Sequence, residues 1–285
     1  MSEPASPPWF LRFLLLVALL VALAALIAEI TGSKPQPVLE PFQPGFIPDP
    51  LEQLPDIGEI THVPWRKEAF FTALVPLVVY ENERIAWQRS QLEKAKAALE
   101  QDIALLEEDE QLLKAIFAHY RVDWPADQEA WELILKRAWP VPEDLVLMQG
   151  AKESGWGTSR FAVEGNNLFG QWCFSQGCGL VPERRTPDRH HEVRLFATVQ
   201  ESVRSYLRNI NTHRAYRELR ELRQALIAED AQPSGSDLAP GLISYSERRQ
   251  AYVDEVLHLL HSNQQEILQA LDAYYLQLTD ATGGE

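Results

Sequence analysis

Apolar residues are concentrated first near the start of the chain. Residues 13–28 carry no charge, and residues 9–27 carry only Arg12. At about 1.5 Å per residue, a helix of this length crosses a bilayer core of about 30 Å once its flanks contribute. The small-residue triplet Ala22-Leu23-Ala24 resembles a signal cleavage site but lies inside the apolar run, so the pattern predicts a retained anchor over residues 1–30. Arg12 before the span and Glu29 after it give a positive-inside bias that leaves the bulk of the chain outside the cytoplasm.

Residues 31–64 contain eight prolines and no apolar period. Proline removes helix hydrogen bonds and favours extended backbone, so this stretch predicts a spacer on the order of 100 Å when fully extended. Helical periodicity then runs from about Trp65 to Tyr120, with Pro76 predicted to kink or break it near Val75. Ile85, Leu92, Leu99, Leu106 and Leu113 recur every seven residues, but the positions that would complete a seam are Arg89, Lys96 and Glu110, or Gln88, Asp102 and Asp109. Such a seam is too polar for a dimerising zipper, so these helices are predicted to pack on their own chain. The acidic run 107–110 reads as a solvated face or a helix start.

A helix around residues 131–138 is followed by a Trp-Pro-Val-Pro break, and a second helix begins at Pro142, with Glu143 and Asp144 complementing its dipole. It ends at Ser154-Gly155, with the glycine as a left-handed cap. Beyond Phe169 the strings Q-W-C-F, G-L-V-P and H-E-V-R-L-F, separated by turn-rich residues, predict a small antiparallel sheet. Helical pattern returns over 199–228, a loop is predicted at 233–241, and one or two helices over 252–277. The fold class that follows is α+β, mainly α.

Composition narrows the function. A net charge of −15 argues against nucleic acid as a partner, because neutralising phosphates requires a basic surface. Residues 151–225 nevertheless hold 12 Lys+Arg against 8 Asp+Glu, so this part of an acidic protein suits an anionic polymer. The only two cysteines, Cys173 and Cys178, lie in a glycine-containing loop, where they close a small ring if oxidised and stay free if reduced. Zinc is the competing reading because His190 and His191 follow. Adjacent residues of a strand point to opposite faces, which disfavours it. No metal or cofactor is expected.

Candidate chemistry centres on residues 151–170, A-K-E-S-G-W-G-T-S-R-F-A-V-E-G-N-N-L-F-G. Glu153 falls in the last turn of a predicted helix, where unpaired carbonyls disfavour its ionisation, and Trp156 and Phe161 add desolvation. A carboxyl that stays protonated near neutrality is the general acid that glycosidic cleavage requires. Trp156 and Trp172 offer sugar-stacking faces, with one of the two expected in a groove and the other in the core. Asn166 and Asn167 either shape the turn into the sheet or hydrogen-bond the catalytic carboxyl or a sugar acetamide. Phe169 closes the string beside them. A second carboxylate would come from the sheet region, where Glu183, Asp188 and Glu192 are candidates. Arg184, Arg185, Arg189 and Arg194 are either substrate contacts or a solvated face.

The 151–170 string resembles the signature of bacterial glucosaminidase-domain hydrolases that cut peptidoglycan, glycoside hydrolase family 73, and within it the Bax-type branch. Supporting strings are G-C-G-L-V-P at 177–182, V-Q-E-S-V-R-S-Y at 199–206 and L-I-S-Y-S-E-R at 242–248. The resemblance covers about residues 65–262. It implies a lysozyme-like domain with a helical lobe and a small sheet lobe around a groove, and hydrolysis of the β-1,4 bond following N-acetylglucosamine. By the same resemblance Glu153 is the catalytic acid, and Tyr245 matches the tyrosine of a late Y-A-T-D-P-x-Y motif. Here that run reads Y-S-E-R-R-Q-A-Y, without the proline and with one extra residue. The family's second acid lies in a variable hairpin. Glu183 is the residue carried forward for it, with assistance from the substrate acetamide as the alternative.

The expected organisation is an anchor at 1–30, a spacer at 31–64, a helical region at 65–140, a catalytic domain at 141–262 and a helical tail at 263–285. The implied partners are peptidoglycan glycan strands and the inner membrane, with the catalytic domain in the periplasm. Two alternatives are a lytic transglycosylase and a non-catalytic peptidoglycan-binding scaffold.

Overall fold

The computed structural model describes residues 39, 41–45, 47–48, 51–183 and 190–282. The expected anchor, much of the spacer, and Arg184, Arg185, Asp188 and Arg189 lie outside these residues. Among the described residues no helix is long and apolar enough to cross a membrane.

The longest element is α1, Val63–Leu99, which opens with Pro64 in its first turn, where a missing N–H costs nothing. Pro76 does not break it. Fully or nearly buried Leu74, Val75, Leu77 and Val78 clamp the helix on both sides of the proline, so packing outweighs the lost hydrogen bond. The predicted helical stretch instead divides at 100–106. There Asp102 takes a left-handed φ of 57°, and α2, Glu107–His119, begins on the acidic run, whose charges face the positive end of the helix dipole. α3 is Gln128–Arg137, capped by Asp127, whose carboxylate accepts the Ala130 N–H at 2.8 Å. α4 is Glu143–Ser154, with Pro142 one position earlier than expected, at the N-cap. α5 is Arg160–Gly165.

Three short strands follow: β1 Trp172–Cys173, β2 Gly179–Leu180 and β3 Glu192–Arg194. β3 is central and antiparallel to both neighbours, with Val193 opposite Trp172 on one side and Leu180 on the other. The expected 199–228 helix divides in two: α6 Val199–Thr212, a 3₁₀ turn at Arg214–Tyr216, and α7 Arg217–Ala228. The stretch predicted as a loop holds α8, Gly235–Leu238, and a 3₁₀ turn at Ala239–Leu242. Ser234 and Asp237 form a reciprocal capping box that starts α8 within a single turn. α9 is Gln250–Ser262 and α10 Gln264–Thr282.

α1 serves two cores. Its first half joins α4, α6, α9 and α10 in the main core, and Ile85 belongs there. Leu92 and Ala95 join Leu113, Phe117, Trp131 and Ile134 in a second cluster with α2 and α3. The seven-residue spacing is therefore spent inside the chain, although Leu99 at its end is exposed. The Trp-Pro-Val-Pro break is held by fully buried Arg223, whose guanidinium donates to the carbonyls of Lys136, Trp139 and Pro140 and to Asn211. α10 lies along α1, where Lys67 Nζ donates to Asn263 Oδ1 and to Glu266 at 3.3 Å. The fold is thus α+β, mainly α, with one small antiparallel sheet.

Candidate active site

The E-S-G-W-G string is a helix stop. Ser154 Oγ donates to the Gly150 carbonyl at 2.6 Å and accepts the Gly157 N–H at 2.8 Å, tying the last turn of α4 to the chain that leaves it. Gly155, Trp156 and Gly157 then take φ of 59°, 60° and 79°, three left-handed residues in succession. Glycine removes the Cβ penalty at two of the three. Trp156 accepts the strain because its N–H reaches the Ala151 carbonyl at 2.8 Å and its ring packs edge-on against Phe70 and Phe71. This stop fixes Glu153 in the final turn of α4, as its position in the string predicts.

Tyrosines surround Glu153. Tyr252 on α9, Tyr206, Tyr216 and Tyr245 all lie within electrostatic reach of its carboxylate. Tyr245 stacks on Tyr252 with ring centres 5.1 Å apart, and its hydroxyl donates to the Phe169 carbonyl at 2.9 Å. Gly170, at φ 64°, brings bare backbone towards the acid, since a Cβ there would stand 4.0 Å from Glu153 Oε2. Burial is the largest influence on Glu153 and raises its pKa above the ordinary carboxylate value. The Tyr252 hydroxyl and the Lys152 charge oppose the rise, and the nearby Glu255 carboxylate adds to it. Glu255 itself is held down to about 2, first by its hydrogen bond from Arg248 and then by Lys152. Two carboxyls with opposite tendencies therefore stand near each other, one favouring the acid form and one the anion.

The structure distributes the other predicted site residues unevenly. Phe169 is 2% exposed and stacks on Tyr206 at 4.0 Å, so its ring is core, while its carbonyl accepts the Tyr245 hydroxyl. Asn166 donates to the carbonyls of Glu52 and Phe196, and Asn167 to those of Gln171 and Arg194, while Asn167 Oδ1 accepts the Gln171 N–H. Both residues are buried and their amide N–H groups are given to backbone carbonyls, so they build the turn. Of the two tryptophans, Trp156 joins the core and Trp172 stays 52% exposed, stacked on His191 at 4.0 Å.

Glu183 is exposed and its described ion pair is with Arg160 at 3.7 Å. Glu192 is buried and accepts the N–H groups of Gly177 and Gly179, which removes it as a free second carboxylate. Gly177 lies in the loop closed by the Cys173–Cys178 disulfide, and Gly179 just beyond it opens β2. Among the described residues, the one grouping with metal-ligand geometry is Cys173, Cys178 and Glu192, and its sulfurs are bonded to each other. The zinc reading is thereby replaced by a disulfide-closed loop.

Tyr252 and Glu255 are the neighbours of Glu153 that sequence reasoning missed. Tyr252 is the last residue of the late Y-S-E-R-R-Q-A-Y run, and Glu255 follows it one turn later on the same helix. The arrangement suits proton donation: a partly buried acid whose anion, once formed, has a tyrosine hydroxyl to receive it.

Comparison with known proteins gives a consistent picture. Residues 133–265 match the glucosaminidase family model, described as mannosyl-glycoprotein endo-beta-N-acetylglucosaminidase. The chain is 30% identical over 213 residues to Protein bax of Escherichia coli (strain K12), covering 74% of each chain. No solved structure matches it.

Proposed function

Because the chain belongs to the Bax-type glucosaminidase-domain proteins, we propose that it is a peptidoglycan hydrolase that cleaves the β-1,4 bond following N-acetylglucosamine, with Glu153 as general acid. The observation that carries this reading is the place of Glu153, a partly buried carboxyl fixed in the final turn of α4 by the left-handed Gly155-Trp156-Gly157 stop, where burial disfavours its anion. Glu153 gives its proton to the leaving glycosidic oxygen as positive charge builds at the anomeric carbon. Tyr252 stabilises the carboxylate so formed, and Lys152 adds favourable charge. Stabilisation of the anomeric carbon falls to the substrate acetamide or to Glu183 from the hairpin. Exposed Trp172 is the stacking face for a sugar ring. The apolar run at residues 9–27 supports placement in the inner membrane with this domain in the periplasm.

Incubation of the full-length chain with purified peptidoglycan, followed by mass spectrometry, is expected to release fragments with N-acetylglucosamine at the reducing end. Glu153→Gln should lower that release by about 10²- to 10⁴-fold. Undiminished release by Glu153→Gln would refute the assignment. Anhydro-muramic ends would identify a lytic transglycosylase, and binding without release a scaffold.

A further inference from the structure

We propose that Arg121 and Arg214, together with Arg208, form a basic flank at the edge of the Glu153 site that takes the carboxylates of the peptide stems carried by the glycan strand. Two helix ends meet there, the C-termini of α2 and α6. Arg208 on α6 donates from Nε to the His119 carbonyl that ends α2, at 2.8 Å. Arg137 donates to the carbonyls of Tyr120 and Arg121 at 2.8 Å each, and Arg220 to those of Ile210 at 2.8 Å and His213 at 3.0 Å. Helix C-termini carry partial negative charge, so these three guanidiniums have a structural use as caps.

Arg121 and Arg214 have no such use. Both are exposed, and among the described residues neither side chain makes a hydrogen bond or an ion pair. The capping bonds nevertheless hold them in the cluster, since Arg121 lies two residues beyond the carbonyl bound by Arg208, and Arg214 directly follows His213. The charges that act on His213 are those of Arg121, Arg214 and Arg220, all basic, and with desolvation ahead of them they lower its pKa. In a chain of net charge −15, this concentration of cations without acidic partners is a local reversal of sign.

The flank adjoins the acid through aromatic rings. His213 and Tyr216 have ring centres 6.0 Å apart, and Tyr216 and Tyr245 5.9 Å. The Tyr245 hydroxyl donates to the Phe169 carbonyl, and the next residue, Gly170, is the one whose Cβ would stand 4.0 Å from Glu153 Oε2. A peptide stem extends by about 3.3–3.6 Å per residue, so a few residues span those two ring separations. Neutral sugar hydroxyls give a guanidinium no opposite charge, whereas a stem carboxylate accepts two parallel hydrogen bonds from it. The inference deepens the functional reading above and rests on it: the substrate is peptide-bearing glycan, and stem-free glycan is bound more weakly.

The test uses the full-length chain and two substrates, peptide-bearing glycan strands and the same strands stripped of their stems by an amidase. Stripping should raise KM by about 3- to 20-fold for the native chain, and Arg121→Gln with Arg214→Gln should reduce that ratio by about threefold or more. Both substitutions replace exposed side chains without described partners, so a melting curve should stay in place; Arg208 is left native because it caps α2. Co-sedimentation with purified sacculi provides a readout without turnover. The native chain and Glu153→Gln should both bind intact sacculi more tightly than sacculi whose carboxylates have been amidated with methylamine, and the double variant should lose that preference. An unchanged KM ratio in the double variant, or equal binding to intact and amidated sacculi, would overturn the flank. It would equally be overturned if the double variant lost binding to phosphatidylglycerol vesicles and kept its preference for intact sacculi, which would assign these arginines to a lipid surface. If Glu153→Gln keeps full hydrolytic activity, the assignment of the acid fails while co-sedimentation still decides the flank.

Discussion

Replacing Arg204 by methionine should destabilise the protein by an amount that depends on pH. Glu81 on α1 has no exposed side-chain surface, and its carboxylate is met by three side chains from two helices. Arg204 on α6 donates from Nη2 at 2.8 Å and from Nε at 3.1 Å, Gln200 donates at 2.8 Å, and Arg84 pairs at 2.8 Å. Burial is the largest single influence on Glu81 and pushes its pKa up. The hydrogen bond from Arg204, with the charges of Arg84 and Arg204 and the bond from Gln200, reverses that and leaves the pKa below the ordinary value.

In the native protein a depressed pKa contributes stability above the unfolded value near 4.5, and that stability is lost as pH falls through the folded value. Without Arg204 the burial influence prevails and the pKa rises. The anion at neutral pH then costs stability, and the cost is relieved as pH falls through the raised value. Breaking a buried pair typically costs about 3–5 kcal/mol. Arg204 is 41% exposed, and Arg84 and Gln200 remain, so the expected loss at pH 7.5 is about 2 kcal/mol. At pH 4 it should fall to about half that or less. Urea unfolding of the native chain and Arg204→Met at both pH values measures the difference. An equal loss at both would assign the effect to packing alone, and no loss at pH 7.5 would remove Glu81 as a supported buried charge.

Two further outcomes follow from residues on the page. Trp172→Ala should raise KM for peptidoglycan by about 3- to 10-fold while leaving the thermal midpoint unchanged, because the ring is half exposed and, among the described residues, stacks on His191 alone; steady-state kinetics beside a melting curve checks it. Gly241→Ala should prevent stable folding, since a Cβ there would stand 2.3 Å from the Leu219 Cα, and backbone cannot yield as a side chain does; circular dichroism and soluble yield report it.

Much of the architecture was legible where local chemistry decides it. The α4 stop at Ser154-Gly155, the small antiparallel sheet and the in-chain packing of the seven-residue leucines all follow from caps, turns and period. Pro76 was misread because propensity cannot weigh the buried residues on either side of it. The helix at 235–238 escaped because one turn is too short to show a period, although its Ser234–Asp237 box was visible. At the site, Glu153 was legible from its position in the string. The choice for Asn166 and Asn167 between shaping the turn and reaching substrate stays open in the sequence, which does not show which backbone carbonyls need a donor, nor that the Phe169 ring fills the core. Tyr252 was hidden by distance along the chain, since its contacts with Glu153 and Gln149 join helices about a hundred residues apart.

The pairing of α10 with α1 bears on how the chain is made. Lys67 and Glu266 are separated by 199 residues, so at about 5–20 residues per second a ribosome needs roughly 10–40 seconds to deliver the partner after α1 has emerged. During that interval the stretch of α1 that finally rests against Ile267 and Tyr274 has no α10 to cover it. α10 can therefore dock on α1 only after the segments between them have been synthesised. A chain released before it is complete would carry the whole candidate site and still expose an apolar strip to whatever chaperone or protease meets it first.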